Sequence, residues 1–276
     1  ALASLIEGTE NFLQSLRDLG INVESGGGET ADVGDLTGTV AVDSCAVAVA
    51  KRDAIIDNKN ITSGLSIIGF SSAGKSSYEN SKNSGIGSNG LTSARHELLS
   101  RHYAENYPET FDPLTEQEYV YCGPHRMNDP LPSSDLTVGE ALLSPTRTYL
   151  PLIKKISEEI GKELKGAVHC SGGGQTKCLR FGKEVKYVKD NLFPPPPIFS
   201  EIQKVSKTSP REMHQVYNMG HRLEVFCKPG LESTLINLAK EFEIEAQVVG
   251  RTEPSDDPSG KNHLEIKLAD EILQYE

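Results

Sequence analysis

The chain has 276 residues, with 28 Lys and Arg against 39 Asp and Glu, so its formal charge at pH 7 is −11. This length predicts about two domains, and the composition is that of a folded globular protein rather than a disordered or membrane-embedded one. A strongly acidic surface repels phosphate backbones, so we expect no nucleic-acid partner. No apolar run approaches the length of a transmembrane helix, so we expect no membrane partner either. The five cysteines form no Cys-x-x-Cys pair, which is typical of reduced thiols in a cytoplasmic protein.

The first segment carries a helical pattern. Apolar residues recur at spacings of three and four from Leu2 to Leu19, and Gly20 supplies a C-terminal stop. Because this pattern begins at once, with no initiator Met and no capping residue, we expect the chain to have lost its natural N-terminus. Strands are predicted at 21–23 and 39–50, on either side of a loop that contains Gly28, Glu29 and Thr30.

A polar stretch over 51–63 predicts a domain boundary near residue 62. Beyond it the patterns predict strands at 65–70, 167–170, 222–227, 246–250 and 264–268, and helices at 92–105, 150–164, after the prolines 194–197, and at 231–242. Residues 107–145 have no clear period. This order of elements favours α+β layers over a doubly wound parallel sheet.

Residues 69–76 satisfy the pattern GxxxxGK[ST], and they follow a predicted strand. A nucleotide-binding P-loop needs a helix that begins at the Gly-Lys-Ser, because the helix N-terminus holds much of the phosphate charge. The residues after Ser76 are poor helix formers. We therefore favour a polar loop that matches by chance, with the P-loop as the alternative.

The segment 85–95 is more informative. Glycines at 85, 87 and 90 expose the backbone, Ser88 and Asn89 add side-chain hydrogen bonds, and a helix that contains Arg95 begins immediately after. Such a loop before a helix can bind an anion. The alternative is a glycine-rich helix N-terminus with no ligand.

Three further blocks carry candidate binding residues. His169 is followed closely by Gly172, Gly173 and Gly174, just past a predicted strand, where a tight turn is the alternative to a ligand site. Thr146 and Arg147 lie at a predicted helix start and would serve equally as capping residues. Asn218 and Gly220 precede the last strands, where a plain turn is the alternative. His96 and His102 are six residues apart, so no metal site is expected there.

Taken in order, these blocks resemble the phosphoribosylformylglycinamidine cyclo-ligases, also called aminoimidazole ribonucleotide synthetases. The matching segments are GGETADVGDL, GIGSNGLTSARHE, LLSPTRTY, GAVHCSGGGQTK, VKDNLFPPPPIF, VYNMGHRLEVF and VVGRTE. The variants, above all the NMGHRLE block, look like a divergent bacterial branch. The resemblance implies an α+β fold, with residues 1–62 as the remnant of a small N-terminal α/β domain for ATP binding and dimerisation. Residues 63–276 would form the larger C-terminal α+β domain.

What the resemblance implies for function is an ATP- and Mg²⁺-dependent ring closure of formylglycinamidine ribonucleotide to aminoimidazole ribonucleotide, in a homodimer. Glu29 and Asn89 are the implied catalytic residues. The implied substrate- and phosphate-binding residues are Gly28, Thr30, Ser88, Gly90, Arg95, Thr146, Arg147, His169, Gly172, Gly173, Gly174, Asn218 and Gly220.

Two departures from the family pattern qualify this expectation. The family's Asp-Gly-Val-Gly-Thr-Lys nucleotide loop does not occur here, so this chain alone is expected to be inactive and to hold no metal. Gly87 replaces the histidine that precedes Ser-Asn-Gly in relatives, which puts that histidine's role in doubt here. The alternatives are another ATP-dependent phosphorylating enzyme of the superfamily, such as a selenide, thiamine-phosphate or hydrogenase-maturation enzyme, and a non-catalytic dimer module.

Overall fold

The computed structural model describes residues 2–32, 34–35 and 41–276. Its α-helices are α1 (Leu2–Asp18), α2 (Leu91–Leu98), α3 (His102–Asn106), α4 (Val138–Leu142), α5 (Leu150–Ile160), α6 (Pro197–Ser206), α7 (Pro210–Val216) and α8 (Glu232–Lys240). Its strands are β1 (Ser66–Ser71), β2 (Leu164–His169), β3 (Val185–Lys189), β4 (His221–Cys227), β5 (Ala246–Pro254), β6 (His263–Lys267) and β7 (Ile272–Tyr275). No helix among the described residues is long and apolar enough to cross a membrane.

The described strands form one sheet in the order β2-β4-β1-β5-β3-β6-β7. All neighbours are antiparallel except β3 and β6. Two neighbouring interior strands, β1 and β4, are buried along their whole length, because other layers cover both faces of the sheet. The predicted α+β class is confirmed.

Three apolar cores hold the layers together. One lies between the sheet and helices α5 and α8, where Phe70 and Leu223 meet Ile156 and Leu235. A second core covers the opposite face around Tyr187. The third joins α2, α4, α6 and α7 beside the sheet. Burial of this apolar surface is the main stabilising contribution to such a fold.

Most predicted elements beyond residue 62 are confirmed, with shifted ends. The helix predicted over 92–105 is wrong as one element, because the chain leaves α2 at Leu99 to bridge with His125 and then restarts as α3. The helix predicted over 150–164 ends at Ile160, since Gly161 turns with φ +47° and β2 already begins at Leu164.

The N-terminal segment fits its predictions less well. Helix α1 is present and Gly20 turns with φ +77°, as predicted. The strand predicted at 21–23 is absent. The described part of the strand predicted at 39–50 is absent too, because residues 41–50 form no backbone–backbone hydrogen bond with another described residue. Residues 39–40 lie outside the described part of the chain. The division into domains at residue 62 stays a prediction.

Candidate functional site

Three loops meet at the end of the sheet where β1 and β2 finish and β4 begins. They are residues 85–90 before α2, residues 170–174 after β2, and residues 218–220 before β4, and we call their junction the three-loop site. A Cβ atom on Gly172 would lie 3.9 Å from Asn89 Oδ1 and 3.9 Å from Lys177 Nζ. Residues from three separate sequence blocks therefore come together, as the resemblance implies.

Asn218 joins the loops to one another. Its Nδ2 donates to the carbonyl oxygen of Gly85 (2.8 Å), and its Oδ1 accepts from Ser72 Oγ (2.7 Å) and from the N–H of Gly220 (3.1 Å). Its own carbonyl oxygen accepts from Gln175 Nε2 (2.5 Å). Because these bonds use the polar atoms of a buried side chain, Asn218 holds the loops of the site together. Its role in binding substrate stays a prediction.

Asn89 lies just before helix α2 but does not cap it. The N-cap residue is Gly90, with φ +74° and no side chain to accept a hydrogen bond. The N–H of Leu91 donates to the carbonyl oxygen of Ser88 (3.3 Å), whereas no local acceptor is described for the N–H groups of Thr92 and Ser93. Asn89 Nδ2 donates instead to the carbonyl oxygen of Val216 (2.6 Å), and its side chain is half-buried. The segment thus forms a glycine-rich helix N-terminus, and its binding of an anion stays a prediction.

Ser88 and Thr146 form the exposed rim of the site. The backbone N–H of Ser88 donates to Thr146 Oγ1 (3.2 Å), and both residues are open to solvent. A ligand would meet their hydroxyl groups first.

The glycine run after β2 adopts a conformation that side chains rarely allow. Gly172, Gly173 and Gly174 have φ of +60°, +110° and +47°. A Cβ on Gly174 would lie 2.4 Å from the carbonyl oxygen of Tyr217, so the loop can pack against the turn before β4 only with glycine there. A 3₁₀-helix, Gly174–Arg180, follows and places Lys177 beside the loop.

His169 ends strand β2 and keeps contact with solvent. Partial desolvation, together with the positive charges of Arg222 and Lys177, lowers the pKa of its imidazole to about 4. His169 is therefore neutral at pH 7 and lies in a locally positive part of an acidic protein.

Five predicted site residues lie away from this junction. Gly28, Glu29 and Thr30 are exposed, with no side-chain hydrogen bond in the described part of the chain. Arg95 points to the carbonyl oxygen of Thr110 (3.4 Å) and the ring of Tyr121. Arg147, in the segment before α5, is buried and bound to Glu79 in the loop that follows β1, and its role in binding substrate stays a prediction.

Sequence reasoning missed a buried charged network below the site. Lys189 and Glu224 are both fully buried and form an ion pair, while Lys189 Nζ also donates to the side chain of Gln175 (2.9 Å). Burial alone would raise the pKa of Glu224, but the Lys189 charge and the hydrogen bond from His221 outweigh it and lower that pKa. The pair lies far apart in sequence, so no local pattern could have revealed it.

The same network decides whether a metal fits. Cys170, His221 and Glu224 place ligand atoms within 4.8 Å of one another, the one such group among the described residues. The Lys189 ammonium and the His221 ring both contact Oε1 of Glu224, and Oε2 has no partner in the described structure. A thiol and an imidazole are poor ligands for Mg²⁺, which prefers oxygen, so this group does not fit Mg²⁺.

Fold and site together define an α+β domain in which glycine-rich loops meet at one end of a sheet. The sequence profile of "AIR synthase related protein, C-terminal domain" matches residues 62–261. The chain therefore belongs to this family.

Two curated relatives carry the name phosphoribosylformylglycinamidine cyclo-ligase. The Methanocaldococcus jannaschii protein is 32% identical over 239 residues, 87% of this chain and 59% of the relative. The Methanococcus maripaludis strain C6 protein is 30% identical over 249 residues, 90% of this chain and 61% of the relative. This chain thus spans about six tenths of their length. Both come from methanogens, so they do not test the bacterial branch suggested above.

Among solved structures, the hydrogenase maturation protein HypE aligns over 79% of this chain and 54% of its own. Its TM-score is 0.42 and its identity 10%, too low to carry a functional conclusion.

Proposed function

We propose that this chain forms the substrate-binding part of an ATP-dependent cyclo-ligase, which converts formylglycinamidine ribonucleotide to aminoimidazole ribonucleotide and releases ADP and phosphate. The observation that carries this is the convergence of the 85–90 loop, the 170–174 loop and the uncapped N-terminus of α2 at one point. The names of the two relatives supply the reaction.

The reaction proposed has two steps. ATP phosphorylates the formyl amide oxygen, which turns a poor leaving group into phosphate, and the amidine nitrogen then attacks the activated carbon. Because the attack is intramolecular, holding the amidine nitrogen close to the activated carbon supplies much of the rate enhancement. Effective molarities in such reactions reach about 10⁵ M or more. The protein's contribution is thus anchoring and orientation.

The described geometry supports a subset of the predicted residues for this anchoring. Ser88, Asn89 and the N–H groups that open α2 would hold a phosphate group, with Thr146 at the rim. On the other side the ligand would lie along Gly172 and Gly173, near Lys177 and the neutral His169.

Other parts of the prediction rest on the resemblance alone. These are the role of Glu29 in holding the amidine or a metal, the binding of substrate or phosphate by Gly28 and Thr30, the use of Mg²⁺, and a cytoplasmic location. We add a homodimer to the proposal, supported by exposed apolar side chains in the N-terminal segment. Val47 and Val49 are 88% and 100% exposed, and Ile6 of α1 is 63% exposed.

Calorimetric titration of the purified chain with formylglycinamidine ribonucleotide, and separately with a non-hydrolysable ATP analogue, tests this function. We expect the ribonucleotide to bind, whereas a non-catalytic dimer module would bind neither compound. Turnover is expected only once the chain is joined to a relative's N-terminal segment that carries the nucleotide loop.

A matched pair of variants locates the binding. Gly172 and Gly230 both have positive φ (+60° and +98°), so alanine strains the backbone similarly at each. A Cβ at 172 faces Asn89 and Lys177, whereas a Cβ at 230 meets nothing within 4 Å. Gly172→Ala should weaken ribonucleotide binding about tenfold, equivalent to about 1.4 kcal/mol, and Gly230→Ala should not. Equal effects would contradict the assignment.

A further inference from the structure

Arg222 is a buried charge without a counter-charge. Its residue is 1% exposed, and only its Nη2 has a hydrogen bond in the described structure, to the carbonyl oxygen of Gly85 (2.7 Å). Its Nε and Nη1 are buried and have no partner there. Burial lowers the pKa of Arg222, and the positive charge of Arg147 lowers it further. Burying charged hydrogen-bond donors without partners costs free energy, so the burial of Arg222 needs a physical explanation.

The backbone places this guanidinium at the three-loop site. Phe70 pairs with Leu223 and Ser71 pairs with His221, so Arg222 is an extra residue in β4 with no register partner on β1. Such a bulge re-aims a side chain. The charge of Arg222 reaches His169, whose pKa it lowers, and the carbonyl oxygen of Arg222 accepts from the N–H of Cys170 (2.5 Å).

Gly87 is the residue that covers the guanidinium. A Cβ atom at position 87 would lie 2.3 Å from Nη2 and 2.4 Å from Nη1 of Arg222, and Gly87 has φ +58°. A side chain at position 87 would therefore displace the Arg222 guanidinium. The next residue, Ser88, is exposed, so the guanidinium lies directly beneath the exposed rim of the site.

We propose that Arg222 binds a phosphate group of the ligand in the three-loop site through Nη1, a donor that the protein leaves unpaired. This inference rests on the proposed function and adds to it the residue that compensates the ligand's charge. A guanidinium stays positively charged at pH 7 and donates charge-assisted hydrogen bonds to phosphate oxygens.

The test compares ligands with and without phosphate. Titration calorimetry of the whole chain would use formylglycinamidine ribonucleotide, the corresponding riboside that lacks the phosphate, and inorganic phosphate. For Arg222→Met we expect ribonucleotide affinity to fall by about 30-fold or more, about 2 kcal/mol, while riboside affinity changes less than about threefold. Arg222→Lys should recover part of the loss.

The control is Arg101→Met, which removes the same charge from a side chain whose Nη1 contacts the carbonyl oxygen of Val120 (3.2 Å). It should leave all three affinities unchanged. Equal loss for ribonucleotide and riboside, or no loss, would overturn the proposal. If Arg222→Met fails to fold, NMR of the wild-type chain decides the question. The Arg222 Nε–H signal, assigned by its loss in Arg222→Lys, should shift when inorganic phosphate is added. A signal that stays constant overturns the proposal.

The outcomes separate this inference from the proposed function. Arg222-dependent binding of inorganic phosphate without binding of the ribonucleotide would leave the anion site standing and contradict the function. Ribonucleotide binding that does not depend on Arg222 would support the proposed function and contradict the phosphate-binding role of Arg222.

Discussion

Arg147 and Glu79 form a two-point ion pair inside the protein. Arg147 Nε lies 2.9 Å from Oε1 of Glu79, and Nη2 lies 2.6 Å from Oε2. The remaining Arg147 nitrogen, Nη1, donates to the carbonyl oxygens of Ser71 (2.8 Å) and Ala73 (3.1 Å). The pair thereby ties the long loop after β1 to the segment before α5.

Arg147→Met should therefore reduce stability strongly. It leaves the half-buried Glu79 carboxylate and two backbone carbonyls without their donor, and breaking a buried pair in this way costs about 3–5 kcal/mol. Urea unfolding would measure the loss. Lys82→Met is the control, because the Lys82–Asp135 pair is exposed and such pairs contribute about 1 kcal/mol at most. Similar losses for the two variants would show that Arg147 is not the tie described here.

Lys75→Ala tests the P-loop alternative. No helix follows residues 69–76, and Lys75 is exposed, so the helix N-terminus that a P-loop needs is absent from this described segment. In an active enzyme that contains this chain, we expect the affinity for ATP to change by less than about 1 kcal/mol. A hundredfold rise in the dissociation constant, about 2.7 kcal/mol, would restore the P-loop interpretation.

Asn89→Ala should affect binding more than stability. The side chain is half-buried and makes one hydrogen bond, to the carbonyl oxygen of Val216, so we expect a small change in melting temperature. Ribonucleotide affinity or catalytic efficiency should fall about tenfold, about 1.4 kcal/mol. Ser93→Ala, which removes an exposed bond to Glu97 within α2, is the matched control. A lower melting temperature with unchanged ligand binding would make Asn89 structural.

The sequence predicts local features well and tertiary placement poorly. The strand at 65–70 and the helix that begins at Leu150 follow from period and composition, and both are confirmed. The strand predicted at 39–50 depends on a pairing partner, which no pattern within the segment can supply. The sequence does not single out Arg222, because the direction of its side chain depends on a bulge opposite β1. Residue types alone do not reveal that bulge. The Lys189–Glu224 pair likewise exists only once β3 and β4 lie in one sheet.

The electrostatic coupling of His169 to Arg222 predicts a shift that NMR can measure. Desolvation comes first among the causes that lower the pKa of His169 to about 4, then the charge of Arg222, then that of Lys177. Removing a neighbouring positive charge favours the imidazolium, so Arg222→Met should raise the pKa of His169 toward 6.5 without reaching it. Lys177→Met should raise it less, and Arg101→Met should leave it unchanged.

The same pKa has a consequence for stability. The unfolded chain takes up the His169 proton near pH 6.5, whereas the folded chain does so only near pH 4, so this residue makes the fold less stable as the pH falls between those values. Phosphate bound at Arg222 would offset the positive charge and raise the pKa of His169 in the wild-type chain. A ¹H–¹³C titration of the imidazole signals, with and without phosphate, measures both effects. A larger shift in Lys177→Met than in Arg222→Met, or a phosphate-independent pKa, would contradict the arrangement of charges described here.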